Sequence, residues 1–241
     1  MTSWFTIARL LPTSLGVNGS SQNAVVLEKT LSHMGHNVSV VDVNDVADVV
    51  STVDIVCVGS GSGSSVAPAA TQLLGLVRTL KQWRDSGAYF FAVGTGWDLL
   101  GSHLVLSDDV TLPGAGIFPS SADHRTPRFA GEVTGVDYRG RASSGYVNQV
   151  GSSALNEDVE PLLEVTHSAS PWTATDGLVG ERLMATRLGG PALSLNPHWA
   201  LDIVTEVLAS RGEAARPTDF HDRVEAHASS ARALIGQRLG A

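Results

Sequence analysis

The clearest chemical geometry in this 241-residue sequence lies in FFAVGTGWDLLG, residues 90–101. The apolar run 89–93 reads as a buried strand, Gly94 and Gly96 permit a tight reversal, and Trp97 to Leu100 opens a helical pattern. In α/β enzymes a strand-turn-helix of this kind lifts a strained Ser or Cys into place for attack on an acyl carbon. Here the turn residue, Gly94, carries no nucleophile. The hydroxyls of Thr95, Ser60 and Ser62 would each need an adjacent base to take over. His103 and His198 are the imidazoles that could serve such a relocated nucleophile, and nothing local in the sequence ties either to it.

A second stretch, VGSGSGSSV (58–66), follows a strand and precedes a helix, where backbone N–H groups and the helix dipole favour an anion. It lacks the Gly-Lys-Ser/Thr ending of a phosphate loop, and the spaced Gly-x-Gly-x-x-Gly fails at Ser64. A flexible connection is as good a reading as a ligand cradle. The loop after the first strand, PTSLGVNGSSQN, is likewise no dinucleotide fingerprint. Cys57 sits in the apolar strand DIVCVG and reads as an inert core thiol. The eight histidines show no paired metal-ligand spacing. His33 and His36 flank a helix end near Gly35, and His221 and His227 are expected to be solvated on a charged tail helix. No cofactor or metal is implied.

The elements that must hold these residues alternate. Strands are expected at 5–11, 37–43, 54–58 and 89–93, with helices at 21–34 and 69–86 between them. Such βαβ units give a largely parallel sheet covered on both faces, an α/β fold. From about residue 110 the texture turns to short Gly- and Ser-rich runs, which read as antiparallel strands or loops added to the same sheet. Helical spacing returns at 197–209 and 220–239, separated by a polar, hinge-like connection at 211–217.

Composition narrows the function classes. A net charge of -8 without a basic cluster argues against nucleic acid or an anionic membrane as partner. One cysteine excludes an intrachain disulfide and a multi-cysteine metal site. No apolar run is long enough to span a bilayer and the N-terminal residues show no cleavage pattern, so a cytoplasmic location is expected.

Taken in order, the segments resemble the class I (triad) glutamine amidotransferases of the cobyric-acid-synthase-like branch, above all the amidotransferase subunit of lipid II isoglutaminyl synthase. LLPTSLGVNGSSQN stands where that family has Leu-x-x-Tyr-Gly-Asp-x-Gly-Asn, and VGSGSGSSV replaces a Gly-Gly-Gly-Gln/Glu-Asp loop. FAVGTGWDLLG replaces a Cys-Gly-Gly-Tyr-Gln-x-Leu-Gly elbow. LPGAGIFP, RFAGEV, GYVNQVG and DGLVGERLMATRLGGPALSLNP follow in the family's order. The resemblance implies a flavodoxin-like three-layer fold, mostly parallel with added antiparallel strands in the second half. It divides the chain into an amidotransferase-like α/β domain at 1–209 and a C-terminal helical extension at 210–241.

The departures carry the functional expectation. The resemblance aligns Gly94 with the cysteine that attacks the glutamine amide and Gly189 with the histidine that activates it. Without thiolate and imidazole, no γ-glutamyl thioester forms at this site. The elbow Gln becomes Asp98, the Tyr before Leu-His becomes Arg187, and the Glu and His of Phe-Glu-Asn-His become Val147 and Gln149. Framework residues persist, among them Asn148, Gly151, Gly177 and Thr186. The implied protein is a pseudoenzyme, a binding or assembly subunit in a heterodimer with a Mur-ligase-like synthetase of peptidoglycan and cell-wall amidation. Two alternatives stand beside it: an active amidotransferase with a relocated nucleophile, and a sensor of a small amino acid or anion. The candidate pocket for such a ligand comprises Gly59, Ser60, Gly61, Ser62, Thr95, Gly96, Asn148 and Gln149, with Gly94 and Gly189 as vestigial catalytic positions.

Overall fold

A computed structural model describes residues 4–241. In chain order its elements are β1 (Trp4–Leu10), α1 (Asn23–His33), β2 (Asn37–Val43), β3 (Ile55–Val58), α2 (Val66–Asp85), β4 (Tyr89–Val93) and α3 (Thr95–Leu100). The short strands β5 (His103–Ser107), β6 (Val110–Pro113), β7 (Ser120–Asp123), β8 (Phe129–Asp137), β9 (Ala142–Gln149) and β10 (Ser152–Leu155) follow. Then come β11 (Leu163–Ser168), β12 (Thr175–Asp176), β13 (Leu178–Gly180) and β14 (Leu183–Thr186). The chain ends with α4 (Ala192–Leu195), α5 (Pro197–Ala209) and α6 (Asp219–Leu239).

The central sheet has the order β13-β14-β4-β3-β1-β2 and is parallel except for β13. Alternation along its strands feeds two cores. Ala8, Val56, Val58, Phe90 and Ala92 face Leu73, Leu76, Leu80 and Trp83 of α2. Phe5, Ile7, Ile55, Phe91 and Val93 face Leu27 and Leu31 of α1 and Trp199, Ile203 and Val207 of α5. This is the expected α/β architecture with helices on both faces. The second half differs from the sequence expectation in one respect: only β13 and β14 join the central sheet. The other late strands build two separate four-stranded sheets, β10-β7-β5-β6 and β12-β11-β8-β9. Short alternating runs reveal strand character but not the sheet they pair into, because pairing is set by long-range contacts.

The tail is tied to the domain. In the polar connection, Arg211 binds the Trp4 carbonyl and the Asp54 carboxylate. In α6, Arg232 binds the Leu195 carbonyl and Arg238 pairs with Glu132 of β8. His221 is buried, not solvated: its Nε2 lies 3.0 Å from the Thr30 carbonyl and its Nδ1 accepts the Thr218 N–H. Its position one turn into an otherwise charged helix concealed that role, whereas His227 is exposed as expected. Cys57 is buried, and burial pushes its thiol pKa up to about 12.

A buried polar knot locks α5 to the β8–β9 hairpin. Asp137, whose side chain has no exposure, accepts from the Arg141 guanidinium at 2.9 Å, from Trp199 Nε1 at 3.0 Å and from the backbone N–H groups of Arg139 and Arg141. Burial opposes its charge, yet these donors outweigh burial and hold its pKa below the ordinary value of 3.8. A carboxylate with a depressed folded pKa stabilises above its unfolded pKa, and that contribution is lost as pH falls through the folded value. Urea-denaturation midpoints are therefore expected to drop as pH falls from 5 to below 4, with a flatter profile in Asp137→Asn. Asp137→Ala is expected to cost on the order of 3 kcal/mol at pH 7, because it strands buried donors.

Candidate functional site

The sharp turn between β4 and α3 forms at Gly94, with φ +52° and ψ −121°. An L side chain rarely adopts such a φ, so glycine holds this turn at least cost. Its N–H donates to the Thr186 carbonyl of β14 at 2.9 Å, and its own carbonyl accepts from Asp98. The loop after β3 presses close behind the turn. A Cβ placed on Gly96 would stand 2.3 Å from the Gly59 carbonyl oxygen, so no larger residue fits there while the loop keeps this approach.

The space in front of the turn is filled. A Cβ built on Gly94 would meet Gln149 Nε2 at 2.4 Å and Ser60 Oγ at 2.7 Å. Gln149 Nε2 donates to Ser60 Oγ at 3.1 Å, and Ser60, Thr95 and Gln149 are all buried. The amides that could face a developing oxyanion are engaged within the chain: Thr95 N–H donates to Ser60 Oγ at 3.3 Å and Ser60 N–H to Ser20 Oγ at 2.8 Å. The Thr95 hydroxyl donates to the Gly61 carbonyl at 2.9 Å. Among the described residues, no histidine hydrogen-bonds Ser60 or Thr95.

Of the residues the sequence singled out, the structure gathers Gly59, Ser60, Gly61, Gly94, Thr95, Gly96 and Gln149. It separates the others. Ser62 is exposed at the rim. Asn148 alternates to the opposite face of β9 from Gln149 and accepts from Arg128 at 2.9 Å. Gly189 lies alongside β9 and donates to the Tyr146 carbonyl at 2.7 Å, and a Cβ there would meet only that oxygen, at 3.3 Å. His103 is exposed and contacts Ser102. His198 belongs to the α5 knot: it bonds Ser143 at 2.9 Å, and burial together with Arg141 and Arg232 lowers its pKa.

Sequence reasoning noted Asp98 and Arg187 singly but missed that they meet. Arg187 Nη2 binds Asp98 Oδ1 at 2.7 Å, and neither side chain is more than 4% exposed. His124 Nε2 takes the other Asp98 oxygen at 2.8 Å, and Ser153 Oγ accepts from Arg187 at 2.7 Å. Arg187 also lies 5.6 Å from the Trp97 ring centroid, in cation–π range. Asp176 accepts from the backbone N–H of Arg187 and from the Thr186 hydroxyl, although burial dominates and raises its pKa. Two charged residues 89 positions apart, both beside strongly apolar segments, were the available signal. Among the described residues, no His, Cys, Asp and Glu side chains gather into a group of three able to hold a metal ion.

If conformation and space both hold Gly94, the two costs separate. Gly94→Ala is expected to lower stability by about 1–3 kcal/mol, and the same change made in a Gln149→Ala background to cost distinctly less. Chemical denaturation of the four proteins measures this, and equal costs in both backgrounds would show that Gln149 does not fill the space.

Comparison with known proteins agrees with this architecture. Residues 22–197 match the CobB/CobQ-like glutamine amidotransferase domain. No curated protein sequence matches. The fold is similar to a solved glutamine amidotransferase, at 14% identity and TM-score 0.57 over 83% of this chain and 98% of that one. A glutamine amidotransferase from Thermotoga maritima is similar at 9% identity and TM-score 0.54, over 98% of this chain and 99% of that one. PurLQS from Thermotoga maritima is similar at 11% identity and TM-score 0.51, over 86% and 98%. At these identities the likeness to solved structures shows the fold, while the domain match covers well over half of the chain. The chain belongs to the CobB/CobQ-like glutamine amidotransferase domain family.

Proposed function

We propose that this chain is a catalytically inactive amidotransferase-fold protein that serves as a binding or assembly subunit. The observation that carries the reading is Gln149 seated against Gly94, where an attacking thiol and its acyl group would need room. Supporting it, the amides of Ser60 and Thr95 are committed to hydroxyls of the chain itself. The aligned departures come in matched pairs: Gly94 with Gln149, and Asp98 with Arg187. Gly189 leaves the second vestigial position without an imidazole. Losses that are compensated locally, in a scaffold that is otherwise intact, fit a protein kept for its surface.

The partner in this reading is a Mur-ligase-like synthetase that amidates the peptidoglycan stem peptide in the cytoplasm, with nitrogen supplied from elsewhere. Resemblance to the amidotransferase subunit of lipid II isoglutaminyl synthase supports that choice, and likeness to PurLQS is consistent with a subunit role. Among the described residues no helix is long and apolar enough to cross a membrane. Affinity-tagged chain expressed in its native host is expected to co-purify a synthetase of the Mur-ligase type in near-equal amount. Recovery of the chain without any synthetase, at physiological salt and after mild cross-linking, would contradict the proposed partner.

A further inference from the structure

The central sheet ends on two edges, and the chain treats them differently. At β13, the Val179 N–H donates to the Glu160 carbonyl, so an extra segment closes that side. The late sheet is closed at β9 in the same manner, by Asn196, which takes both backbone groups of Ser144, and by Gly189 on the Tyr146 carbonyl. Among the described residues, none gives the edge at β2 such a cover. Its seven residues, NVSVVDV, pair with β1 in an unbroken parallel register. The Val43 carbonyl accepts from Leu11 and so points to β1. By strand alternation the backbone groups of Asn37, Ser39 and Val41 point the same way, and those of Val38, Val40 and Asp42 point outward. Among the described residues, no hydrogen bond reaches those outward groups.

Long, regular edges are normally blunted by lysine, proline or a bulge, because they recruit another strand. Strand β2 has none of these, and its one charge, Asp42, is neutralised by Arg9 at 2.6 Å. The outward residues are also arranged symmetrically about Val40. We infer that β2 is a self-association edge, pairing antiparallel with β2 of a second copy of this chain about a two-fold axis at Val40. In that register Val40 exchanges both backbone bonds with Val40 of the second copy, and Val38 does so with Asp42, in each direction. Ser39 faces Val41 and Asn37 faces Val43, so no like charges are opposed. The result is an isologous interface that joins two six-stranded sheets into one.

The most exposed large apolar residues select a second copy over an unrelated strand. Trp4, 69% exposed, neighbours Asn37 at one end of the edge, and Val46, 62% exposed, follows the other end. An antiparallel two-fold carries each Trp4 toward the 43–46 segment of the other copy, which gives both residues apolar cover. A second copy in this register supplies an apolar residue at both ends, which an unrelated strand need not carry.

Light scattering and sedimentation velocity on the full chain at micromolar concentrations are expected to give the mass of a dimer. Val40→Pro removes an N–H that points away from β1, so it spares the β1–β2 ladder and is expected to give a folded monomer. Val40→Cys supplies an independent reading. Directly opposed hydrogen-bonded residues lie about 5.5 Å apart between Cα atoms, within disulfide reach. Mild oxidation is therefore expected to cross-link Val40→Cys quantitatively and to leave Val38→Cys, which faces position 42, unlinked. The buried Cys57 does not compete. A monomeric wild type at all concentrations would overturn the inference. So would a dimer indifferent to Val40→Pro, or a cross-link that forms at position 38 and not at position 40.

Discussion

The backbone reversal at Gly94 is the constraint on which the rest of the site depends. The β3 loop, β4, β9 and β14 all converge on it: Gly59 and Ser60 press from one side, Gln149 from another, and the Thr186 carbonyl holds the Gly94 N–H. Glycine reaches φ +52° at little cost, and the hydrogen bonds from its N–H to Thr186 and to its carbonyl from Asp98 fix the turn in place. Strand β4 supplies the rigid base, since Tyr89 to Val93 are fully buried between the two cores. The strand-turn-helix is therefore held in place, and the side chains of Gln149 and Ser60 occupy the space in front of Gly94.

Most buried polar groups beside the turn are hydrogen-bonded. An unpartnered charge in this interior would cost several kcal/mol, whereas an ion pair with further donors approaches neutrality. Asp98 and Arg187 meet most of that condition together with His124 and Ser153, leaving Arg187 Nε without a partner among the described residues, and the Asp137 knot meets it through Arg141 and Trp199. Removing reactive groups from such a site is cheap for the fold if their volume and hydrogen bonds are replaced. Gln149 occupies the volume in front of Gly94, and Ser60 and Ser20 receive the amides. This physical matching is why the proposed loss of chemistry is compatible with an intact amidotransferase fold.

Much of the scaffold was legible in the sequence because its signals are local. Strand 37–43 and the run 89–93 have the β-branched or aromatic density of buried strands, and α5 has a clear apolar period beginning at Pro197. The glycine framing at 94 and 96 announced the turn. What stayed hidden depended on contacts distant in sequence. Gln149 reaches Ser60 across 89 positions, and the pairing of β5 to β12 into two extra sheets has no local signature. His221 looked solvated because its neighbours Asp222 and Arg223 are exposed, while its own ring turns inward to Thr30. Asn148 and Ser62 were placed at the pocket through the family segments they resemble, whereas Ser62 is exposed and Asn148 turns to Arg128 on the opposite face of β9 from Gln149.

The proposed absence of catalysis is tested most directly by ammonia release from glutamine. The purified chain, alone and with a co-purified partner, is incubated with millimolar glutamine and ammonia is followed over hours against a heat-treated control. No release above that control is expected in either case. Sustained release that scales with the chain's concentration and falls in Thr95→Ala would contradict it, because a nucleophile would then be working in a space that Gln149 and Ser60 are held to close.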